Sequence, residues 1–186
     1  MTANQIVDGI LRREGGFVHH QADKGGATNR GITAATLGEF RRLGRPATPD
    51  EVQAMAEDEA RLIYTRRYLA PWQWVQEPLR ILLIDWGVTT SHPNVIKGLQ
   101  RALAEQGEYD GLIDGIAGTK TRQAVERADD WALYLRVLEQ REAFYLDLAF
   151  DAQTMAFLRD HPKTQLHFAR GWLSRCREFR WMAPAP

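Results

Sequence analysis

Three side chains that could support acid–base chemistry lie within fifteen residues near the N-terminus: Glu14, Asp23 and Thr28. Glycine pairs at residues 15–16 and 25–26 border them. A carboxyl group that stays protonated can donate a proton to a departing oxygen, and one that stays ionised can steer water or stabilise positive charge. This combination suits hydrolysis of a glycosidic bond, although acidic pairs of this spacing also occur in proteins without any catalytic role.

The residues before Glu14 predict a helix that ends at this acid. One apolar face repeats with helical spacing and consists of Ile6, Val7, Ile10 and Leu11. The glycine pair at residues 15–16 can end the helix, because glycine adopts left-handed backbone conformations without steric cost. An acid in the last turn faces the negative end of the helix dipole, which disfavours its ionised form. Asp23, in a polar glycine-rich turn, should keep its charge.

The rest of the sequence predicts an almost wholly α-helical fold with one small β-hairpin near the N-terminus, formed by residues 17–20 and 28–33. Thr33 and Thr48 are predicted helix caps, the second in a capping box. The stretch 78–90 is the most apolar and predicts a central buried helix. Other predicted helices cover residues 48–68 with a break near 57, and begin at 93, 119, 130 and 164, with a turn-rich loop over 107–118.

Composition and charge argue against several classes of protein. The 186 residues include 24 basic and 24 acidic side chains, so the formal net charge is zero, whereas proteins that bind nucleic acid are normally basic. No apolar run approaches the roughly 20 residues that a membrane span requires. The lone Cys176 cannot form an internal disulfide, and His19 and His20 lack partners at metal-ligand spacing. We therefore expect a monomer without nucleic acid, membrane insertion, metal or cofactor.

Two N-terminal motifs resemble the signature of glycoside hydrolase family 108, a family of peptidoglycan muramidases from phages and bacteria. They are Glu-Gly-Gly-Phe at residues 14–17 and Asp-x-Gly-Gly-Ala-Thr-Asn-x-Gly-Ile-Thr at residues 23–33. Their order of acid, acid and threonine is also similar to that of phage-type lysozymes. The resemblance implies a lysozyme-like helical fold with the hairpin beside the catalytic groove. It also implies that Glu14 is the general acid, and that Asp23 and Thr28 hold the attacking water.

Motifs in the second half resemble the predicted peptidoglycan-binding region that usually follows this catalytic half. They lie at residues 99–103, 110–115, 121 and 171–175. The resemblance implies a catalytic muramidase region over residues 1–91 and a helical peptidoglycan-binding region over residues 92–186, packed together into one compact unit.

Four further residues are candidate contacts to the glycan strand: Asn29, Trp72, Thr89 and Thr90. Trp72 and its neighbour Trp74 lie in a predicted loop, where an aromatic ring could stack on a sugar. Thr89 and Thr90 stand where the family usually has an Asn-Ser-Gly-like run, and they either line the groove or cap the preceding helix. Asp85, inside the apolar helix, is interpreted as a buried hydrogen-bond anchor.

The resemblance implies an N-acetylmuramidase that cleaves the β-1,4 bond between N-acetylmuramic acid and N-acetylglucosamine and so lyses bacterial cells. Because the two acids lie on different predicted elements and Thr28 could hold a water beside Asp23, we expect inversion. No signal peptide is recognisable. We therefore expect synthesis in the cytoplasm and action on the periplasmic cell wall after release through a holin or a secretion system, as for a phage endolysin. Two alternatives stay open: a lytic transglycosylase, which needs one acid and forms an anhydro sugar, and a non-catalytic peptidoglycan-binding protein.

Overall fold

The computed structural model describes most of the chain, namely residues 2–13, 15–19, 26–150 and 165–180. Glu14 and Asp23, two of the three predicted catalytic residues, lie outside these ranges. The described residues fold mainly into α-helices, with one two-stranded antiparallel sheet near the N-terminus. The predicted fold class is therefore confirmed.

The chain divides into two compact units, Met1–Gln73 and Trp74–Pro186. The apolar helix Leu79–Thr89 belongs to the second unit, because it packs against helices that follow it in the sequence. The predicted division between residues 91 and 92 separates a catalytic from a binding region, and it stays a prediction.

The first unit contains four α-helices and two short strands among its described residues. Helix α1 is Ala3–Arg13, followed by strands β1 (Thr28–Asn29) and β2 (Ile32–Thr33). The later helices are α2 (Ala34–Phe40), α3 (Pro49–Gln53) and α4 (Glu57–Tyr64). Helix α4 continues into a π-helical turn, Thr65–Leu69, and a 3₁₀ turn, Ala70–Trp72. The break that the sequence predicts near residue 57 lies just before α4.

Local sequence signals explain where these helices lie. The predicted apolar face of α1 is buried, and α1 packs against α4. Thr33 caps α2 by accepting a hydrogen bond from the Thr36 backbone N–H at 3.2 Å. Thr48 and Glu51 form the predicted capping box at the start of α3. Both predicted caps are therefore confirmed.

The hairpin differs from its predicted form. Residues 28–33 do not make one strand but fold back on themselves, so that Thr28 pairs with Thr33 and Asn29 with Ile32. The segment predicted as the other strand contributes a single antiparallel bridge, from Val18 to Thr28.

The cause is the turn at the centre of this segment. Arg30 and Gly31 have φ angles of 51° and 74°, and two successive positive φ values reverse the chain within two residues, as in the turns that close tight hairpins. Such angles are uncommon for a residue with a Cβ, so the arginine gives the sequence no turn signal.

The second unit is helical throughout its described elements. These are α5 (Leu79–Thr89), α6 (His92–Glu105), α7 (Thr119–Arg127), α8 (Asp130–Phe150) and α9 (Gln165–Arg180). Helix α5 is buried on nearly all sides and packs against α6 and α8, and α8 also packs against α9. The central position predicted for the apolar helix is therefore confirmed. Over the described residues, no helix combines the length and apolarity needed to cross a membrane.

Asp85 is the buried polar centre of this unit. Its carboxylate accepts hydrogen bonds from Arg141 Nη2 at 2.8 Å and from Arg175 Nε at 2.7 Å. These contacts tie α5 to α8 and α9, and they confirm the interpretation of Asp85 as an anchor. Removing the carboxylate would leave the fully buried Arg141 without its charge partner, which is strongly destabilising.

Candidate active site

The structure describes the chain on both sides of the two predicted catalytic acids. Glu14 follows the last residue of α1 directly, and Asp23 belongs to the segment that joins Val18 to Thr28. The arrangement of these flanking residues can therefore be described, and the acids themselves lie outside the described residues.

Three backbone hydrogen bonds draw these flanks together. Val18 and Thr28 exchange N–H···O bonds of 2.8 and 2.9 Å, and the Arg30 N–H donates to the Gly15 carbonyl at 3.1 Å. The peptide that follows Glu14 is thus bonded to the hairpin turn two residues beyond Thr28. This backbone clamp, from Gly15 to Val18 on one side and Thr28 to Arg30 on the other, joins the segment that begins at Gly15 to the strand that carries the predicted water-holding threonine.

Arg30 is itself held from the opposite side. Its carbonyl accepts a hydrogen bond from the Tyr64 hydroxyl at 2.9 Å, and its guanidinium lies 3.0 Å from the Glu57 carboxylate. Tyr64 is buried and Arg30 is half-buried, so this bond is partly sheltered from water. Sequence reasoning missed both Arg30 and Tyr64 as positioning residues. Arg30 occupies the variable position of the Asn-x-Gly-Ile-Thr motif, and the motif does not indicate that the backbone there is left-handed.

Thr28 is the predicted catalytic residue that the structure does describe. It lies in β1 with a half-buried side chain, and both its backbone N–H and its carbonyl are bonded to Val18. With the backbone fixed, the direction of its hydroxyl depends on one side-chain rotation among three staggered positions. The water-orienting role that the family resemblance implies for Thr28 stays a prediction.

Asn29 is buried, and its amide is used inside the protein. Nδ2 donates to the Val52 carbonyl at 2.9 Å and reaches the Gln53 carbonyl at 3.4 Å. Asn29 thereby ties β1 to the end of α3 and satisfies carbonyls that a helix end leaves open. This geometry favours a positioning role for Asn29 over the predicted contact with the glycan.

The two loop tryptophans differ in exposure. Trp72 ends the 3₁₀ turn of the first unit and is only 1% exposed. A fully buried ring cannot stack on a sugar, so the described conformation gives Trp72 a core role. Trp74, in the second unit, is half-exposed, and the Arg122 guanidinium lies 5.0 Å from its ring centre.

Thr89 and Thr90 are both half-exposed at the end of α5, and both hydroxyls have partners within the second unit. The Thr89 hydroxyl donates to the Trp86 carbonyl at 2.9 Å and also bonds to the Tyr145 hydroxyl. Thr90 Oγ1 accepts a hydrogen bond from Asn94 at 3.0 Å. The structure thus gives both threonines a role in ending α5, and their contact with substrate stays a prediction.

Comparison with known families assigns this arrangement to a class. Residues 7–90 match the family described as glycosyl hydrolase 108, and residues 94–177 match the predicted peptidoglycan domain. The first segment contains Glu14, Asp23 and Thr28. The first half of the chain is therefore similar to glycosyl hydrolase 108, and the second half is similar to the predicted peptidoglycan domain. The two matches, in the order that the sequence predicted, support a peptidoglycan hydrolase.

A solved structure extends the similarity over nearly the whole chain. The structure titled "Structure of Brucella abortus SagA" is 26% identical in sequence, with a TM-score of 0.69. The alignment covers 96% of this chain and 91% of that chain. No curated protein matches the sequence.

Proposed function

We propose that this protein is an N-acetylmuramidase. Its substrate is the β-1,4 bond between N-acetylmuramic acid and N-acetylglucosamine, and its catalytic residues are Glu14, Asp23 and Thr28. The observation that carries the proposal is the backbone clamp, which bonds the peptide after Glu14 to the hairpin that bears Thr28. The glycosyl hydrolase 108 match over residues 7–90 supports the same assignment.

The proposed reaction is a single displacement with inversion. The Glu14 carboxyl group donates its proton to the glycosidic oxygen as the bond from that oxygen to the anomeric carbon breaks. A water molecule attacks this carbon from the opposite face and loses a proton to the Asp23 carboxylate. The Thr28 hydroxyl holds this water. Such a mechanism places the two carboxyl groups about 6.5–9.5 Å apart, against about 5–5.5 Å for a covalent route.

The predicted peptidoglycan domain in the second half supports a division of labour. In this proposal, residues 1–91 cut the glycan and residues 92–186 hold the enzyme on the wall. The protein acts as a monomer without a cofactor, and it reaches the periplasmic wall in the manner of an endolysin, by a holin or a secretion system.

Mass spectrometry of the muropeptides released from purified sacculi tests the proposal. A muramidase yields products with a reducing N-acetylmuramic acid end, and Glu14→Gln in a folded protein should yield none. Anhydro products would show a lytic transglycosylase instead. A folded wild-type protein that releases no product would show a non-catalytic wall-binding protein.

A further inference from the structure

The turn-rich segment of the second unit, the 107–118 loop, presents two large apolar side chains to solvent. Leu112 is 81% exposed and Ile116 is 65% exposed. These are the most exposed large apolar side chains among the described residues. One exposed aliphatic side chain needs no explanation, but two on one short loop mark a candidate binding surface.

The loop is held in one conformation by the buried amide of Gln100. Its Nε2 donates to the Asp114 carboxylate at 2.9 Å and to the Ile116 carbonyl at 3.2 Å. Its Oε1 accepts from the Gly115 N–H at 3.0 Å. The Asp114 carboxylate also accepts from the Ile116 N–H at 2.8 Å. The backbone that carries Ile116 is therefore fixed on both sides.

Two glycines of the loop are packed closely against neighbouring residues. Gly115 has a φ of 79°, and a Cβ there would lie 2.9 Å from the Pro93 carbonyl oxygen. A Cβ on Gly111 would lie 2.5 Å from the Tyr109 hydroxyl, which itself donates to the Leu112 carbonyl at 2.9 Å. The loop thus presents Leu112 and Ile116 on a rigid support, so a ligand would bind without the entropic cost of ordering the loop.

Three cationic side chains lie close to the backbone or side chains of this loop. Lys97 runs beside the loop, because its Cε would lie 3.3 Å from a Cβ on Gly115. Lys120 is largely exposed and lies 3.4 Å from the exposed Asp110 carboxylate. Arg122 is exposed and donates to the Ala117 carbonyl at 3.1 Å.

We infer that the 107–118 loop is the surface through which the second unit binds peptidoglycan. Leu112 and Ile116 would pack on sugar C–H faces and on the methyl groups of acetyl and alanyl substituents. Lys97, Lys120 and Arg122 would face the carboxylates of the lactyl groups and stem peptides. The whole loop lies within residues 94–177, the segment that matches the predicted peptidoglycan domain. The inference deepens the proposed function and rests on it.

Co-sedimentation of the full chain with purified sacculi tests this inference. All proteins carry Glu14→Gln so that the sacculi stay intact, and the turbidity of the suspension reports on that assumption separately. The double variant Leu112→Ser, Ile116→Ser should bind about tenfold more weakly, since both apolar contacts are lost. The matched control is Leu135→Ser with Leu146→Ser, on α8 of the same unit, where the side chains are 40% and 42% exposed.

The expected result is weak binding by the loop variant and binding within twofold of the parent by the control. Sacculus binding by the loop variant that equals the parent's would overturn the inference, as would an equal loss in the control. Vesicles of phosphatidylglycerol and phosphatidylethanolamine form a further arm. If the loop substitutions weakened binding to vesicles but not to sacculi, the loop would be a membrane contact instead. Sacculi that lose turbidity with Glu14→Gln protein would contradict the acid assignment alone.

Discussion

Two glycine-rich segments of this protein are held in shape by different means. In the hairpin segment, residues 15–19 and 26–33, the contacts are backbone hydrogen bonds between the Gly15–Val18 and Thr28–Arg30 stretches. In the 107–118 loop, the side chain of Gln100 makes the central contacts. Hydrogen bonds between backbone groups remain after most side-chain substitutions, whereas a single substitution of Gln100 removes all the hydrogen bonds that its side chain makes. The hairpin segment should therefore tolerate sequence change that the loop does not.

The two segments also present different chemistry. The hairpin segment carries the polar Thr28, and the loop carries the apolar Leu112 and Ile116. Catalysis depends on the orientation of polar groups to within a fraction of an ångström, which backbone bonds can secure. Adhesion to a polymer depends on exposed apolar area and charge, which a loop can offer once it is rigid.

The largest effect is expected from the acid in the hairpin segment. Asp23→Asn should lower turnover by roughly 10²–10⁴-fold, because an amide cannot accept the proton of the attacking water. Thr28→Ala should lower it only about tenfold, since the carboxylate alone can still orient water. Release of muropeptides from sacculi measures both rates. If both variants kept the parent's melting temperature and lost turnover equally, Asp23 and Thr28 could not be assigned the different roles of base and water-holding residue.

Substitution of Gln100, the side chain that holds the 107–118 loop, should give a large loss of stability. Gln100→Leu leaves the buried Gly115 N–H and its neighbours without their partner, which should lower the free energy of unfolding by about 1–3 kcal/mol. Binding to sacculi should weaken as the loop loosens. Chemical denaturation and co-sedimentation measure the two effects. The control is Gln123→Leu, an exposed position on α7, which should change neither; a Gln100 variant that behaves like this control would show that the loop holds itself.

Alanine substitution of one glycine in each segment compares the two backbones directly. Gly115→Ala should cost about 1–3 kcal/mol, because the residue has a positive φ and the new Cβ meets the Pro93 carbonyl. Gly15→Ala should change stability by less than about 0.5 kcal/mol, since a Cβ there meets no described atom within 4 Å. Thermal melts of the two variants measure the difference. Similar losses would mean that the hairpin segment is as tightly packed as the loop.

Tyr64→Phe tests the outer support of the backbone clamp. Loss of the hydroxyl removes the bond to the Arg30 carbonyl, which should cost about 1 kcal/mol of stability. It should also lower kcat a few-fold with KM unchanged, because the peptide after Glu14 is bonded to Arg30. Tyr68→Phe, in the ring stacked on Tyr64, is the control. A stability loss with unchanged kcat would show that the hydroxyl serves the fold alone.

The smallest expected effect is on the pH dependence of stability, and it arises from Asp114 in the 107–118 loop. Hydrogen bonds from Gln100 and from the Ile116 N–H hold the pKa of Asp114 below its ordinary value. A carboxyl group whose pKa is lower in the folded than in the unfolded protein stabilises the fold. This stabilisation is complete above the pKa in the unfolded state, about 3.9, and it is lost as the pH falls through the pKa in the folded state. Below about pH 4, the free energy of unfolding of the Asp114→Asn variant should therefore depend less on pH than that of the parent protein. An NMR titration that finds an unshifted Asp114 would contradict this.

Local sequence patterns were sufficient for most of the helical architecture. The apolar face of α1, the caps at Thr33 and Thr48, and the long helix α8 all follow from contacts between residues three or four apart. Such contacts are formed within one helical turn, so spacing alone predicts them. The buried acid Asp85 was also recognisable, because a charge inside a fully apolar helix requires a partner.

The tertiary structure alone decided the partners of the functional segments. The Tyr64 hydroxyl meets the Arg30 carbonyl across 34 residues, and Gln100 reaches Gly115 across 15. No short-range pattern encodes such pairs, because they depend on how whole helices pack. The same holds for Trp72: its sequence context predicted an accessible loop, and packing buries the ring. The sequence by itself determined which residues are available for chemistry, and the packing of the chain determined which of them are held, buried or exposed.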